Sequence, residues 1–147
     1  MVKILIMGLP GSGKTTLAKE IKKKIKCRWL NADKIRKKFN DWDFSKKGVL
    51  RQAKRMGQLA SGDKNKVIIA DFICPYEEGR KLFKPDIIVW MDTIVKGRMP
   101  TFDKKFQRPK KCDLRIKKKK IKVNSNKLIR YLKKFEKKLE KNQLLEK

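Results

Sequence analysis

One octapeptide limits what this chain can become. Gly8-Leu9-Pro10-Gly11-Ser12-Gly13-Lys14-Thr15 fits G-x-x-x-x-G-K-[ST] and runs into Thr16-Leu17-Ala18. Before it, Val2 to Met7 (VKILIM) is a short apolar run that reads as a buried strand. After it, Thr15 to Lys26 reads as a helix with Leu17, Ala18 and Ile21 on its inner face. Strand, glycine loop and helix in that order form a phosphate-binding loop.

Each residue type has a reason. Gly8, Gly11 and Gly13 let the backbone curl so that several N–H groups face one anion. Pro10 and Ser12 complete the loop, and the helix that follows points its positive end at the phosphates. Lys14 can reach the β- and γ-phosphates as a point charge, the Thr15 hydroxyl is the expected Mg²⁺ ligand, and Thr16 is assigned to the α-phosphate. ATP with Mg²⁺ is therefore the expected cofactor pair.

Apolar runs repeat down the chain. Lys26 to Asn31 reads as a second strand, Lys66 to Phe72 as a third and Asp86 to Asp92 as a fourth. Asp113 to Ile116 is a short edge strand. Helical patterns alternate with them: a short helix after Asn31, a long one from about Lys46 to Ser61, and another short one through about Leu82. Strand–helix alternation predicts an α/β fold: a three-layer sandwich of the phosphate-loop type, with a five-stranded, mainly parallel sheet and helices on both faces. The 147 residues suffice for one such domain, 1–147. Residues 96–109, rich in basic residues with Gly97, Pro100 and Pro109, read as a mobile lid. Ser125 or Asn126 could cap a final helix of about 125–145. Its stripe of Leu128, Leu132, Phe135 and Leu139 docks on the sheet or, alternatively, forms a homodimer seam.

Charge and cysteines narrow the setting. Lys plus Arg number 43 against 15 Asp plus Glu, a net +28, which suits an anionic substrate or a polyanion such as nucleic acid. A lysine-biased composition explains the same number without a partner. The Lys117–Lys120 run reads as solvated. Cys27, Cys74 and Cys112 make no C-x-x-C pair, and histidine is absent, so free thiols in a reducing cytoplasm are expected. The chain enters a strand at once, which reads as no signal peptide, and no apolar run approaches membrane-spanning length.

Ligands of parallel α/β sheets sit at the carboxyl ends of the strands. There the chain places Asp33 and Arg36, one helical turn apart. Asp33 can act as base for an acceptor hydroxyl, or merely cap the helix. Arg36 can hold an acceptor anion by a fork of hydrogen bonds, or merely be a surface charge. Asp71 ends an apolar strand where a carboxylate can hold the water shell of Mg²⁺.

At this point the chain resembles the adenylylsulfate kinases, from Met1 to about Ile116. The resemblance rests on GLPGSGKTTLA (Gly8–Ala18), on LNADKIR (Leu30–Arg36) against the family's L-D-G-D-x-x-R, on DFS (Asp43–Ser45) against G-F-S, and on FICPY (Phe72–Tyr76) against F-I-S-P-Y. It implies transfer of the ATP γ-phosphate to the 3′-hydroxyl of adenosine 5′-phosphosulfate, with Lys14, Asp33 and Arg36 catalytic. By that resemblance Phe44 stacks on the substrate adenine. Arg36 contacts the phosphosulfate end, helped by Arg51 or Arg55, and Ile73, Pro75 and Tyr76 shape the substrate wall. Three departures stand out: Asn31 where the family has its first Asp, Val49 where it has the Arg of a D-R pair, and Cys74 for the motif Ser. The family usually has a small residue at Asp71, and Asp71 could compensate for Asn31. Two rival readings remain: a kinase acting on a nucleic-acid hydroxyl, which D-x-x-R and the charge also suit, and a nucleotide-binding module that has lost catalysis.

Overall fold

The computed structural model describes residues 1–146. Eleven elements follow in order among them: β1 (Val2–Met7), α1 (Lys14–Lys24), β2 (Arg28–Asn31), α2 (Ala32–Phe39), α3 (Lys46–Ser61), β3 (Val67–Asp71), α4 (Glu77–Phe83), β4 (Ile87–Met91), α5 (Pro100–Lys105), β5 (Leu114–Ile116) and α6 (Ile121–Leu145). The five strands form one sheet in the order β2-β3-β1-β4-β5, and every neighbouring pair is parallel. The central strands are continuous apolar runs because both of their faces are covered. One core cluster joins Ile4, Ile6 and Ile69 to Leu17 and Ile21 of α1 and Leu128 and Leu132 of α6. The other joins Leu5, Met7 and Ile68 to Ala53 and Met56 of α3 and Phe83 of α4.

Several boundaries differ from the sequence reading. The final helix starts at Ile121, four residues before Ser125, and neither Ser125 nor Asn126 caps it. Ser125 is instead buried inside α6, where its Oγ donates to the Lys122 carbonyl and accepts from Lys24 Nζ of α1. The apolar stripe of α6 is covered within the chain: Leu128 and Leu132 are buried, and Phe135 and Leu139 pack against the same cluster. It is therefore not free to act as a dimer seam. β2 is shorter than proposed, starting at Arg28.

The segment 96–109 is not an unstructured loop. It contains α5, with Pro100 at the first helical turn, where a missing N–H does no harm. Phe102 of α5 is buried and meets Phe44 edge-on at 6.3 Å. Both ends of the segment are tied down. The Arg98 N–H donates to the Pro10 carbonyl, and the Gln107 N–H donates to the Pro75 carbonyl.

Candidate active site

β1 delivers the phosphate loop to the carboxyl edge of the sheet. Gly11 and Gly13 hold φ of 90° and 100°, conformations that side chains resist, so the loop can wrap inward. Lys14 is the first residue of α1 and is almost fully buried, its Nζ donating to the Leu9 carbonyl at 2.9 Å. Burial pushes its pKa down to about 8, against the pull of Asp71 and Asp33, and Arg98 adds repulsion. A buried ammonium whose hydrogen-bond partner is a single neutral carbonyl fits a site built for a polyphosphate.

A cavity of about 340 Å³ opens beside this loop. Pro10, Gly11, Gly13, Lys14 and Thr15 line one side. Gly8, Ser12 and Thr16 do not reach it. Gly8 is pressed against the end of β4, Ser12 is buried, and Thr16 is exposed on α1.

The carboxyl ends of β2 and β3 supply the next wall. Asn31 and Asp71 are register partners on these two parallel strands. Asp71 is buried and accepts from the Thr15 hydroxyl at 2.7 Å, from Trp29 Nε1 at 2.6 Å and from Asn31 Nδ2 at 3.2 Å. Burial pushes its pKa up, and the three donors oppose that shift. The Asn31 side chain also accepts from the Lys34 N–H and so caps α2. Asp33 therefore is not the cap. It stands in the first turn, exposed and lining the cavity.

Arg36, one turn on, also lines the cavity but is buried, with its pKa lowered by desolvation. Its Nη1 donates to the Asp41 and Asp43 carbonyls at 2.8 and 3.2 Å, and its guanidinium lies 4.3 Å from the centre of the Phe44 ring. Arg36 thus shapes the loop that carries Phe44, as well as facing the cavity. The helper arginines are placed differently from the sequence reading. Arg51 forks onto Asp41 at 2.9 and 3.1 Å and reaches Asp43, while Arg55 meets Asp41 at 2.9 Å and stacks on Phe39. Neither lines the cavity; both are committed to Asp41, whose carboxyl they hold well below the usual range. Gly48 belongs to the same arrangement, because a Cβ there would lie 2.2 Å from the Asp43 carbonyl oxygen.

Ile73, Cys74 and Pro75 form the opposite wall, whereas Tyr76 is buried outside it, at the start of α4. Burial pushes the Cys74 thiol up to about 12, so it is inert. Buried Arg80 binds the Cys74 and Gln107 carbonyls, fastening wall and lid together. The lid segment carries five cations, Lys96, Arg98, Lys104, Lys105 and Arg108. Of these, only Arg98 is among the cavity-lining residues, its side chain over Gly11. Gln52, Met99 and Phe102 also line the cavity and were not foreseen. Gln52 sits on the inner face of α3, and no spacing in the sequence marks it as different from a core polar residue.

The sequence pattern of the adenylylsulphate kinase family matches residues 1–96. The chain belongs to that family. As an adenylylsulphate kinase family member it is an ATP-dependent kinase, a phosphotransferase with a nucleotide-binding phosphate loop. A search of curated protein sequences finds no match. Among solved structures, an APS kinase from Mycobacterium tuberculosis, crystallised as a cysteine-to-alanine mutant, is 26% identical with a TM-score of 0.73, covering 90% of this chain and 96% of that one. The structure of an APS kinase from the same organism in complex with AMPPNP and APS is 22% identical, TM-score 0.75, covering 90% and 97%. A shikimate kinase from Acinetobacter baumannii in complex with shikimate shares the fold at 17% identity and TM-score 0.64, covering 90% and 93%. No helix among the described residues is long and apolar enough to cross a membrane.

The family member's departures from its pattern now have locations. Val49, where the resemblance implies an arginine, lines the cavity as an apolar residue. Asn31, where the resemblance implies a carboxylate, is in register with Asp71 one strand over. An Asp at both positions would set two carboxylates at hydrogen-bonding distance, which resists double ionisation. Asn31 instead donates to Asp71, so the pair is internally consistent.

Proposed function

We propose that this kinase transfers the γ-phosphate of ATP to the 3′-hydroxyl of adenosine 5′-phosphosulfate, giving the 3′-phosphorylated product and ADP. The observation that carries the reading is the single cavity that joins Lys14 and Thr15 to Asp33, Arg36, Phe44 and the Ile73–Pro75 wall. Lys14 supplies the cation for the β- and γ-phosphates at the head of α1. Asp33, exposed to the cavity and without a capping duty, orients the acceptor hydroxyl and takes its proton. Arg36 meets the acceptor's anionic end with the donors it does not spend on the loop. Phe44, backed by Arg36 and edged by Phe102, offers a ring to the adenine. Arg98 approaches the transferring group from the lid side.

Thr15 and Asp71 fit a Mg²⁺ site: a hydroxyl and a carboxylate 2.7 Å apart, both hard oxygen donors beside Lys14. Among the described residues no cluster of three His, Cys, Asp or Glu could cage a metal. That suits Mg²⁺, which prefers one or two protein oxygens plus phosphates and water. When bound, it would neutralise charge on the β- and γ-phosphates. Asp71 would act on it through water or directly, taking over the role of the absent carboxylate at position 31.

The test is a panel of acceptors with labelled ATP: adenosine 5′-phosphosulfate, shikimate and an oligonucleotide with 5′-hydroxyl ends. Label on adenylylsulfate, lost in the Asp33→Asn protein, is the expected result. Label on oligonucleotide ends with adenylylsulfate untouched would install a polynucleotide kinase in its place, and no transfer to any acceptor would point to a nucleotide-binding module.

A further inference from the structure

The proposed reaction leaves most of the chain's positive charge unused, and one helix arranges it. On α6, Lys127, Arg130, Lys134, Lys137 and Lys141 are all exposed and recur at spacings of three and four. At 100° per residue they fall within one narrow arc, on the side of the helix away from the buried Leu128 and Leu132. The helix's acidic residues, Glu136 and Glu140, lie outside that arc.

Compositional bias alone does not account for this. Neighbours at i+3 and i+4 of like charge destabilise a helix, and this stripe makes four such pairs in succession. Among the described residues no ion pair involves α6. The opposite helical layer differs: Lys46 pairs with Glu78, Arg51 and Arg55 with Asp41, and Arg80 with Glu77. Among the described residues, part of the charge on that side is paired with carboxylates, and on α6 none of it is.

We infer that the exposed face of α6 binds the phosphate backbone of duplex nucleic acid, without reading its sequence. From Lys127 to Lys141 the helix rises about 21 Å, less than one turn of a duplex, so all five cations can face one stretch of backbone. The partner is a duplex because the face offers no ring for a base. Tyr131 and Phe135 pack into the core, and exposed Phe39 and Trp42 belong to α2 and the loop after it. Single-strand binding draws on such aromatic platforms, whereas duplex backbone binding needs only cations. A membrane surface fits less well: exposed Val123 and Leu145 lie on the same arc near the two ends of the helix, but between Lys127 and Lys141 the arc carries only cations and no apolar side chain to insert. This inference is independent of the acceptor chosen above.

The experiment measures binding of a labelled random-sequence DNA duplex, about 20 base pairs long, by anisotropy across a salt series from about 25 to 200 mM. A log–log slope of about −0.9 per phosphate neutralised is expected. The triple variant Lys134→Gln, Lys137→Gln, Lys141→Gln should flatten that slope by about 2.7. A second triple of equal charge, Lys37→Gln, Lys47→Gln, Lys81→Gln, on the opposite layer, should leave it unchanged. Retained ATP binding shows that both variants are folded. Equal flattening by the two triples would mean diffuse charge and overturn the site. So would failure to bind duplex at the lowest salt, tighter binding of a single strand of the same length, or capture by phosphatidylserine vesicles at salt where duplex is released.

Discussion

Raising the pH should remove the phosphate loop's cation well before ordinary lysines titrate. Burial holds the Lys14 ammonium at a pKa of about 8 against an ordinary 10.5. At ~1.36 kcal/mol per tenfold, keeping it charged in the free protein costs about 3 kcal/mol. A bound triphosphate supplies the missing anion and lifts that penalty, so nucleotide binding must take up a proton wherever free Lys14 is neutral. With a pKa of about 8, uptake should be roughly 0.1 proton at pH 7 and about 0.9 at pH 9, and affinity should fall up to tenfold per pH step above 8. Calorimetry in buffers of different ionisation heat reads the uptake directly. Arginine keeps its charge throughout, so in Lys14→Arg both the uptake and the pH dependence should disappear. Stability gives an independent sign. Between pH 8 and 10.5 the unfolded chain holds more protons on Lys14 than the folded one, so this group's contribution to stability rises with pH across that window. Below pH 8 the full penalty is present. The Lys14→Met protein, lacking the group, should gain stability at pH 7 and lose that advantage by pH 10. Zero proton uptake at pH 9, or the same uptake in Lys14→Arg, would refute the argument.

Asp33→Asn should lower kcat by roughly 10²-fold with the melting temperature unchanged, because the cap of α2 is Asn31; unchanged turnover would remove Asp33 from catalysis. Asn31→Ala should show the converse first effect, losing about 1 kcal/mol of stability with the cap, a shift of roughly 2–4 °C in Tm by thermal melt. Arg98→Ala should depress kcat more than the KM of either substrate, and if Lys96→Ala or Lys104→Ala does the same, the lid cation has been misassigned. In Gly48→Ala the new Cβ must displace Asp43, so the KM for the acceptor should rise several-fold while that for ATP holds; equal change in both would show that the Asp41–Phe44 loop does not shape the acceptor side.

What could be read from the sequence was what is local in the chain. The phosphate loop, the strand before it and the helix after it are consecutive, and their glycines, apolar run and Lys14-Thr15 pair express one physical requirement within a few residues. The three central strands, β1, β3 and β4, were legible for the same reason, since a strand buried on both faces announces itself by composition alone. Even the Asp33–Arg36 pair needed only the period of one helix.

The tertiary structure decided whatever depends on residues far apart. Asn31 and Asp71 are 40 positions apart, and only the register of β2 on β3 brings their side chains together at Thr15. Five basic residues of the lid segment look alike in sequence, and only the tether from Arg98 to Pro10 aims one of them into the cavity. Arg51 and Arg55 have the right spacing to help Arg36, yet Asp41 claims both, because an unpaired carboxylate in the preceding loop is the nearest strong acceptor. Local pattern dictates which elements form. Which of several equivalent charges reaches a site depends on competition among partners that only the folded chain brings together.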